Sequence, residues 1–132
     1  MILGVGIDSV QVKRFSQWSS ISATQLKKIF SEEEIAYCLK SPRLSAQRFA
    51  VRFALREAFF KALCSMQQRS PLPFLKVCKA VLLLHSEYNI PIVQANWHVL
   101  GEDDTSASSL VVHCSLTHTQ DDAMAYVIIE RC

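Results

Sequence analysis

Seventeen consecutive residues without glycine or proline, Gln47–Leu63 (QRFAVRFALREAFFKAL), constrain this chain more than any other stretch. The run is long enough for a packed helix, and at 100° per residue Arg48, Arg52 and Arg56 line one stripe of it. Glu57 and Lys61 lie about 140° round from the middle of that stripe, among Ala50, Phe53, Ala54 and Phe60. A carboxylate in an apolar arc is costly to bury unless a cation meets it. Lys61, one turn on, is one such cation and a metal ion is another. Alternatively the two residues form an ordinary i,i+4 surface pair. The helix alone does not choose between them.

At 132 residues, a single domain spanning 1–132 is expected, large enough for a real core. Half the residues are apolar and 20% are charged, the balance of an ordinary globular chain. A net charge of +2 does not argue for nucleic acid. Lys13 with Arg14, Lys27 with Lys28, and the arginine stripe are expected to make local patches able to receive an acidic partner. The five cysteines (Cys38, Cys64, Cys78, Cys114, Cys132) are odd in number and never in a CxxC spacing, which argues against a disulfide framework and a zinc site. MILGVGIDSV lacks the basic start of a signal peptide, and the apolar run AVLLL is too short to cross a bilayer. A cytoplasmic protein with no membrane partner is expected.

In chain order, residues 2–12 read as a strand with Ile2, Gly4, Gly6, Asp8 and Val10 on one face. Glycines on that face announce a close approach by another element. Lys13–Trp18 and Ala23–Phe30 read as short helical stretches. Ser31 followed by Glu34 is a capping box opening a helix over Ser31–Lys40, and Glu32–Glu34 suit its dipole, so those glutamates read as structural. After the long helix, Cys64–Pro73 reads as a loop. Phe74–His85 reads as a strand, Ser86–Pro91 as a turn and Ile92–Leu100 as the returning strand. Gly101–Ser109 reads as a polar loop without core residues. Leu110–Leu116 and Ala123–Glu130 form a closing strand pair joined through Thr117–Asp122. A strand, then helices, then antiparallel strands indicate an α+β fold, an antiparallel sheet packed against one long central helix.

Polar groups interrupt apolar elements at Asp8, at Glu57 with Lys61, at Ser115, and at Thr117 with His118. Two carboxylates from different elements plus a lysine suit a hard divalent cation and a phosphate, since Mg²⁺ takes one or two protein carboxylates and fills its shell with water and phosphate oxygens. His118, in the turn after a strand, is placed to bind phosphate or relay a proton. His85, His98 and His113 have no polar cluster near them in sequence and read as structural.

These residues sit in segments that carry a family resemblance. GIDSVQVKRF (6–15), IFSEEEIAYC (29–38), RFALREAFFKAL (52–63) and SLTHT (115–119) followed by AMAYVIIE resemble, in order, the motifs of the holo-acyl-carrier-protein synthases, the small type of 4′-phosphopantetheinyl transferase. The resemblance implies transfer of the phosphopantetheine arm of coenzyme A to a serine of apo-acyl carrier protein, with Mg²⁺, releasing adenosine 3′,5′-bisphosphate and serving fatty acid biosynthesis. It implies Asp8 and Glu57 as metal ligands and Lys61 as the lysine on the phosphates. Glu57, Lys61 and His118 become the catalytic groups. Arg52, Lys61, Ser115, Thr117 and His118 line the coenzyme A site, and Arg14 meets the carrier. A homotrimer with sites between subunits is implied as well. The chain departs from the pattern at Arg56, where lysine is usual, at Cys64, where glycine is usual, and at Gln47-Arg48, which replaces an Arg–aromatic pair and leaves Arg43 or Arg48 to reach the nucleotide phosphate. From the residues alone, a non-catalytic oligomeric ligand-binding module and a metal-dependent phosphohydrolase are the competing functions.

Overall fold

The structure, a computed structural model, describes residues 1–132. A three-stranded antiparallel sheet runs in the order β1 (Ile2–Gln11), β5 (Asp122–Arg131), β4 (Leu110–His118). The long helix α3 (Ser45–Gln67) lies across β1 and β5. It extends past both ends of Gln47–Leu63 and stops where Gln68 takes a left-handed conformation, φ 50°. Alternation along β1 turns Gly4, Gly6 and Val10 toward α3 and leaves Val5, Ile7 and Ser9 outward. The glycines are there because the helix backbone is. A Cβ on Gly6 would fall on the Ala58 carbonyl oxygen, and one on Gly4 on that of Ala62. Backbone atoms cannot rotate aside, so Gly6→Ala is expected to destabilise the fold by about 3 kcal/mol or more. A urea melt checks this, and an unchanged midpoint would show that strand and helix are not so tightly seated.

Between β1 and α3 come two 3₁₀ turns (Val12–Phe15 and Trp18–Ser20), α1 (Ala23–Leu26) and α2 (Glu32–Leu39). The helical stretches expected at 13–18 and 23–30 are thus shorter and tighter than their periodicity indicates. They are held by aromatic packing: Phe15 sits against Trp18 and Phe53, and Trp18 against Phe30, Phe49 and Phe53. The Ser31 hydroxyl caps α2 by accepting from the Glu34 N–H at 3.2 Å, half of the expected capping box; the Glu34 carboxylate, turned to Arg56, accepts from the Ser31 hydroxyl at 3.1 Å in place of the Ser31 backbone N–H.

Two expected strands are corrected. Residues 74–79 form a helix, α4 (Phe74–Lys79), and only Val81–His85 (β2) is extended. Lys76 and Lys79 repeat at helical spacing, while Phe74, Val77 and Cys78 make the opposite, inward face. Packing of Phe74 on Phe53 and Phe60 selects the helix. The returning strand, β3 (Pro91–Ala95), ends before Asn96, whose side chain accepts from the Val99 N–H and turns the chain. β2 and β3 pair only with each other, so the strands form two sheets in place of one continuous run. Residues 101–109 contribute nothing to the core, as expected, yet include a one-turn helix, α5 (Asp104–Ala107), capped by Asp103.

The arginine stripe is also corrected. Its spacing predicts a surface patch, but Arg52 is 5% exposed and Arg56 0%. Arg56 is gripped by both oxygens of buried Glu34, at 2.7 and 2.9 Å, and by the carbonyls of Val81 and Cys78 at 2.8 and 3.2 Å. This one guanidinium ties α2, α3, α4 and β2 together. Cys38 and Cys78 are fully enclosed, and burial pushes both thiols up to about 12.

Candidate active site

Asp8 lies late on β1, on the face turned toward α3, and Lys61 reaches it from the helix. The Lys61 ammonium donates to the Ile7 carbonyl at 3.0 Å and to Asp8 Oδ1 at 3.2 Å. Lys61 therefore pairs with Asp8 and makes no ion pair with Glu57, so the i,i+4 surface pair is not what forms. The other oxygen, Asp8 Oδ2, is buried without a hydrogen-bond partner. Glu57 is close enough to feel the Asp8 charge. Burial and then the Asp8 carboxylate push the Glu57 pKa up, against Lys61 and Arg14, which pull it down. Two carboxylates whose charges oppose each other, one with an orphaned buried oxygen, fit a hard divalent cation. No third His, Cys, Asp or Glu joins them, so water and substrate oxygens would have to complete the shell. Arg14, exposed on the first 3₁₀ turn, is near enough for its charge to reach Glu57.

The remaining expected site residues lie elsewhere. A groove of about 380 Å³ opens between α2, α3, the β2–β3 hairpin and the end of β4. Arg52, His118, Arg48, Tyr37 and His85 line it. Arg48 donates to the Tyr37 carbonyl at 2.8 Å, and the Arg48 and Arg52 guanidinium carbons stand 4.1 and 4.6 Å from the Tyr37 ring centroid. The buried Arg52 Nε has no hydrogen-bond partner and lies 3.8 Å from Glu34. Such a concavity, ringed by guanidinium groups and an aromatic face, suits a planar, anionic ligand. His85 reads as structural in sequence, but it belongs to this groove, where burial and then Arg52 push its pKa down. Only the packing of the hairpin against β4 brings it there; nothing near it in sequence foretells it. His113, with the same structural reading, bonds Glu130 at 2.7 Å on the sheet.

Ser115 and Thr117 are partly or fully exposed and alternate with Leu116 and His118 along β4, so they occupy the opposite sheet face, beside Tyr126 and Met124. Asp8 is in register with Ala125, which is in register with Leu116. The carboxylate edge and the groove edge are thus two strand spacings apart, about 10 Å, on either side of β5. One chain does not gather all the expected residues into one cleft.

A family model described as the 4′-phosphopantetheinyl transferase superfamily matches residues 4–114. The chain belongs to that superfamily. The match ends one residue before Ser115, so the closing motif lies outside it. Among curated members, the chain is 35% identical over 132 residues to a holo-[acyl-carrier-protein] synthase of Treponema denticola, covering 98% of this chain and 99% of the relative. It is 34% identical over 130 residues to a synthase of the same name from Treponema pallidum, covering 98% and 97%. The fold of the transferase is shared with a crystal structure of a Bacillus anthracis holo-(acyl-carrier-protein) synthase in complex with CoA (3′,5′-ADP). That similarity has a TM-score of 0.75 at 21% identity, over 100% of this chain and 99% of that one.

Proposed function

We propose that this chain transfers the 4′-phosphopantetheine arm of coenzyme A to a serine of an apo-acyl carrier protein, in the cytoplasm and in support of fatty acid biosynthesis. The observation that carries the reading is the Asp8–Glu57–Lys61 cluster with its orphaned Asp8 oxygen, in a member of a phosphopantetheinyl transferase superfamily. Asp8 and Glu57 would hold Mg²⁺. When bound, the ion supplies charge neutralisation at the pyrophosphate oxygens. Lys61, half exposed and tethered only to Asp8 and a carbonyl, is free to swing its ammonium onto a phosphate oxygen. Glu57, directly or through a water, helps take the proton of the attacking serine. The serine oxygen bonds to the β-phosphorus, the bond from that phosphorus to the bridging oxygen breaks, and adenosine 3′,5′-bisphosphate leaves. Arg14, beside Glu57, meets acidic side chains of the carrier.

The groove lined by Arg52, Arg48 and His118 takes the nucleotide end of coenzyme A, with Arg48 rather than Arg43 as the residue nearest its phosphate. Because groove and carboxylates stand at opposite edges of the three-stranded sheet within one chain, the working site is shared between copies in a homotrimer. The outward sheet face supports this: Val5, Ile7, Val111, Met124 and Tyr126 are exposed there, an apolar surface suited to a neighbouring subunit. On that face, Ser115 and Thr117 would line coenzyme A at a subunit junction. No helix is long and apolar enough to cross a membrane.

Incubation with coenzyme A, Mg²⁺ and an apo-acyl carrier protein, read by intact mass, is expected to add one phosphopantetheine arm to the carrier. Hydrolysed coenzyme A with an unchanged carrier would make the protein a phosphohydrolase. Coenzyme A bound and intact would make it a binding module.

A further inference from the structure

The net charge of +2 hides a strong asymmetry. Residues 9–31 and 58–86 together hold eight of the fourteen Lys and Arg side chains and none of the twelve Asp and Glu. The fold brings the two segments side by side. The ammonium of Lys79, at the end of α4, donates to the Lys27 carbonyl just past α1 at 2.7 Å. Between them lies a shallow concavity of about 460 Å³ lined by Thr24, Lys27, Lys28, Leu75, Lys76 and Lys79. Lys27 is paired with Glu32 at 3.0 Å, whereas Lys28, Lys76 and Lys79 make no ion pair. Leu75 is 48% exposed among them. Uncompensated like charges held this close raise the energy of the free protein and are relieved by an anionic surface.

The patch flanks the candidate site. Phe74 opens α4 and packs edge-on against Phe53 and Phe60, the two aromatic rings that bracket Glu57 along α3. Burial pushes the thiol of Cys78, on α4, up to about 12, and the charge of Glu57 adds to this against that of Arg56. Arg14, on the first 3₁₀ turn, is near enough for its charge to reach Glu57. A protein that delivers a serine to Glu57 has to rest on the elements around it, and of these the first 3₁₀ turn and α4 carry Lys13, Arg14, Lys76 and Lys79 and no acid.

We propose that Lys28, Lys76 and Lys79, with Leu75 among them, form a docking surface for an acidic face of the carrier protein, extending its contact beyond Arg14 onto α4. This rests on the transferase reading for the identity of the partner. A membrane surface fits the patch less well: one exposed leucine is far short of the continuous apolar face that interfacial anchoring takes. Surface charges of this kind act mainly on encounter, so the effect belongs in the association rate and its salt dependence.

The test is the triple variant Lys28→Glu/Lys76→Glu/Lys79→Glu beside its Gln counterpart. Direct binding of labelled apo-carrier is followed by anisotropy across a salt series, alongside arm transfer under subsaturating carrier. Charge reversal is expected to weaken binding and to lower kcat/KM for the carrier by about tenfold or more at low salt. The salt dependence should flatten, the Gln variant should fall between, and the KM for coenzyme A should stay at the wild-type value. Matching melting temperatures show that all three proteins are folded. Wild-type binding and salt slope in the triple variant would overturn the proposal, as would a wild-type protein that does not bind apo-carrier. Lysine-dependent sedimentation with phosphatidylserine vesicles, with carrier binding untouched, would reassign the patch to lipid. Carrier binding without arm transfer counts against the transferase reading and leaves the docking surface standing.

Discussion

Asp8→Asn is expected to slow loading of apo-carrier by roughly 10³-fold, and Glu57→Gln by a similar factor, because each removes a charge from the group that stabilises the transferring phosphoryl. Both changes keep shape. The amide introduced by Asp8→Asn has the shape of the carboxylate and still presents an oxygen to Lys61. The Asp8–Lys61 pair that this change weakens is partly exposed and contributes little to stability. The substitution also ends the repulsion between the two carboxylates. Activity and stability should therefore part company: transfer collapses while the melting temperature in chelator holds or rises. The Mg²⁺ concentration needed for half-maximal residual activity should increase as well. Wild-type transfer rates in either variant would remove these residues from the site, and lost activity accompanied by an equal loss of melting temperature would make them structural.

The largest stability effect is expected at Glu34. Arg56 is wholly enclosed, and Glu34 is the carboxylate within bonding distance of it. Glu34→Ala leaves a buried guanidinium facing only carbonyl oxygens, at a cost of about 3–5 kcal/mol. For a domain of this size that is a large share of the whole folding free energy, about 5–15 kcal/mol. Removing both charges together, as Glu34→Leu/Arg56→Met, should recover much of the loss, since a well-packed apolar pair escapes the desolvation cost. A double-mutant cycle by urea unfolding measures this, and additive single effects would mean the pair is uncoupled. Arg52, 3.8 Å from the same carboxylate, should loosen with it, so the surviving Glu34→Gln protein should bind coenzyme A less tightly.

Periodicity alone carries much of this molecule. Alternation places Gly4, Gly6 and Asp8 on one face of the opening strand, and a glycine there foretells close backbone approach, which α3 supplies. The N-cap at Ser31 and the long helix follow from residues within a turn or two of one another, and each closing strand from alternation along its own length. Local sequence contains all the physics those features need.

Other features depend on partners far along the chain. Arginines at spacing four on a helix look like a solvated stripe until Glu34, 22 residues before Arg56, turns one of them into the centre of the core. Residues 74–79 read as the start of a strand until Phe74 meets Phe53 and Phe60 on α3. His85 becomes a groove residue only because its hairpin folds against β4. Which side chains share a face is set within a few residues of chain. Which of them are buried, and how far the carboxylates stand from the groove, is set by long-range packing. A face is a property of local geometry, whereas the cost of hiding a charge depends on what the rest of the chain sets against it.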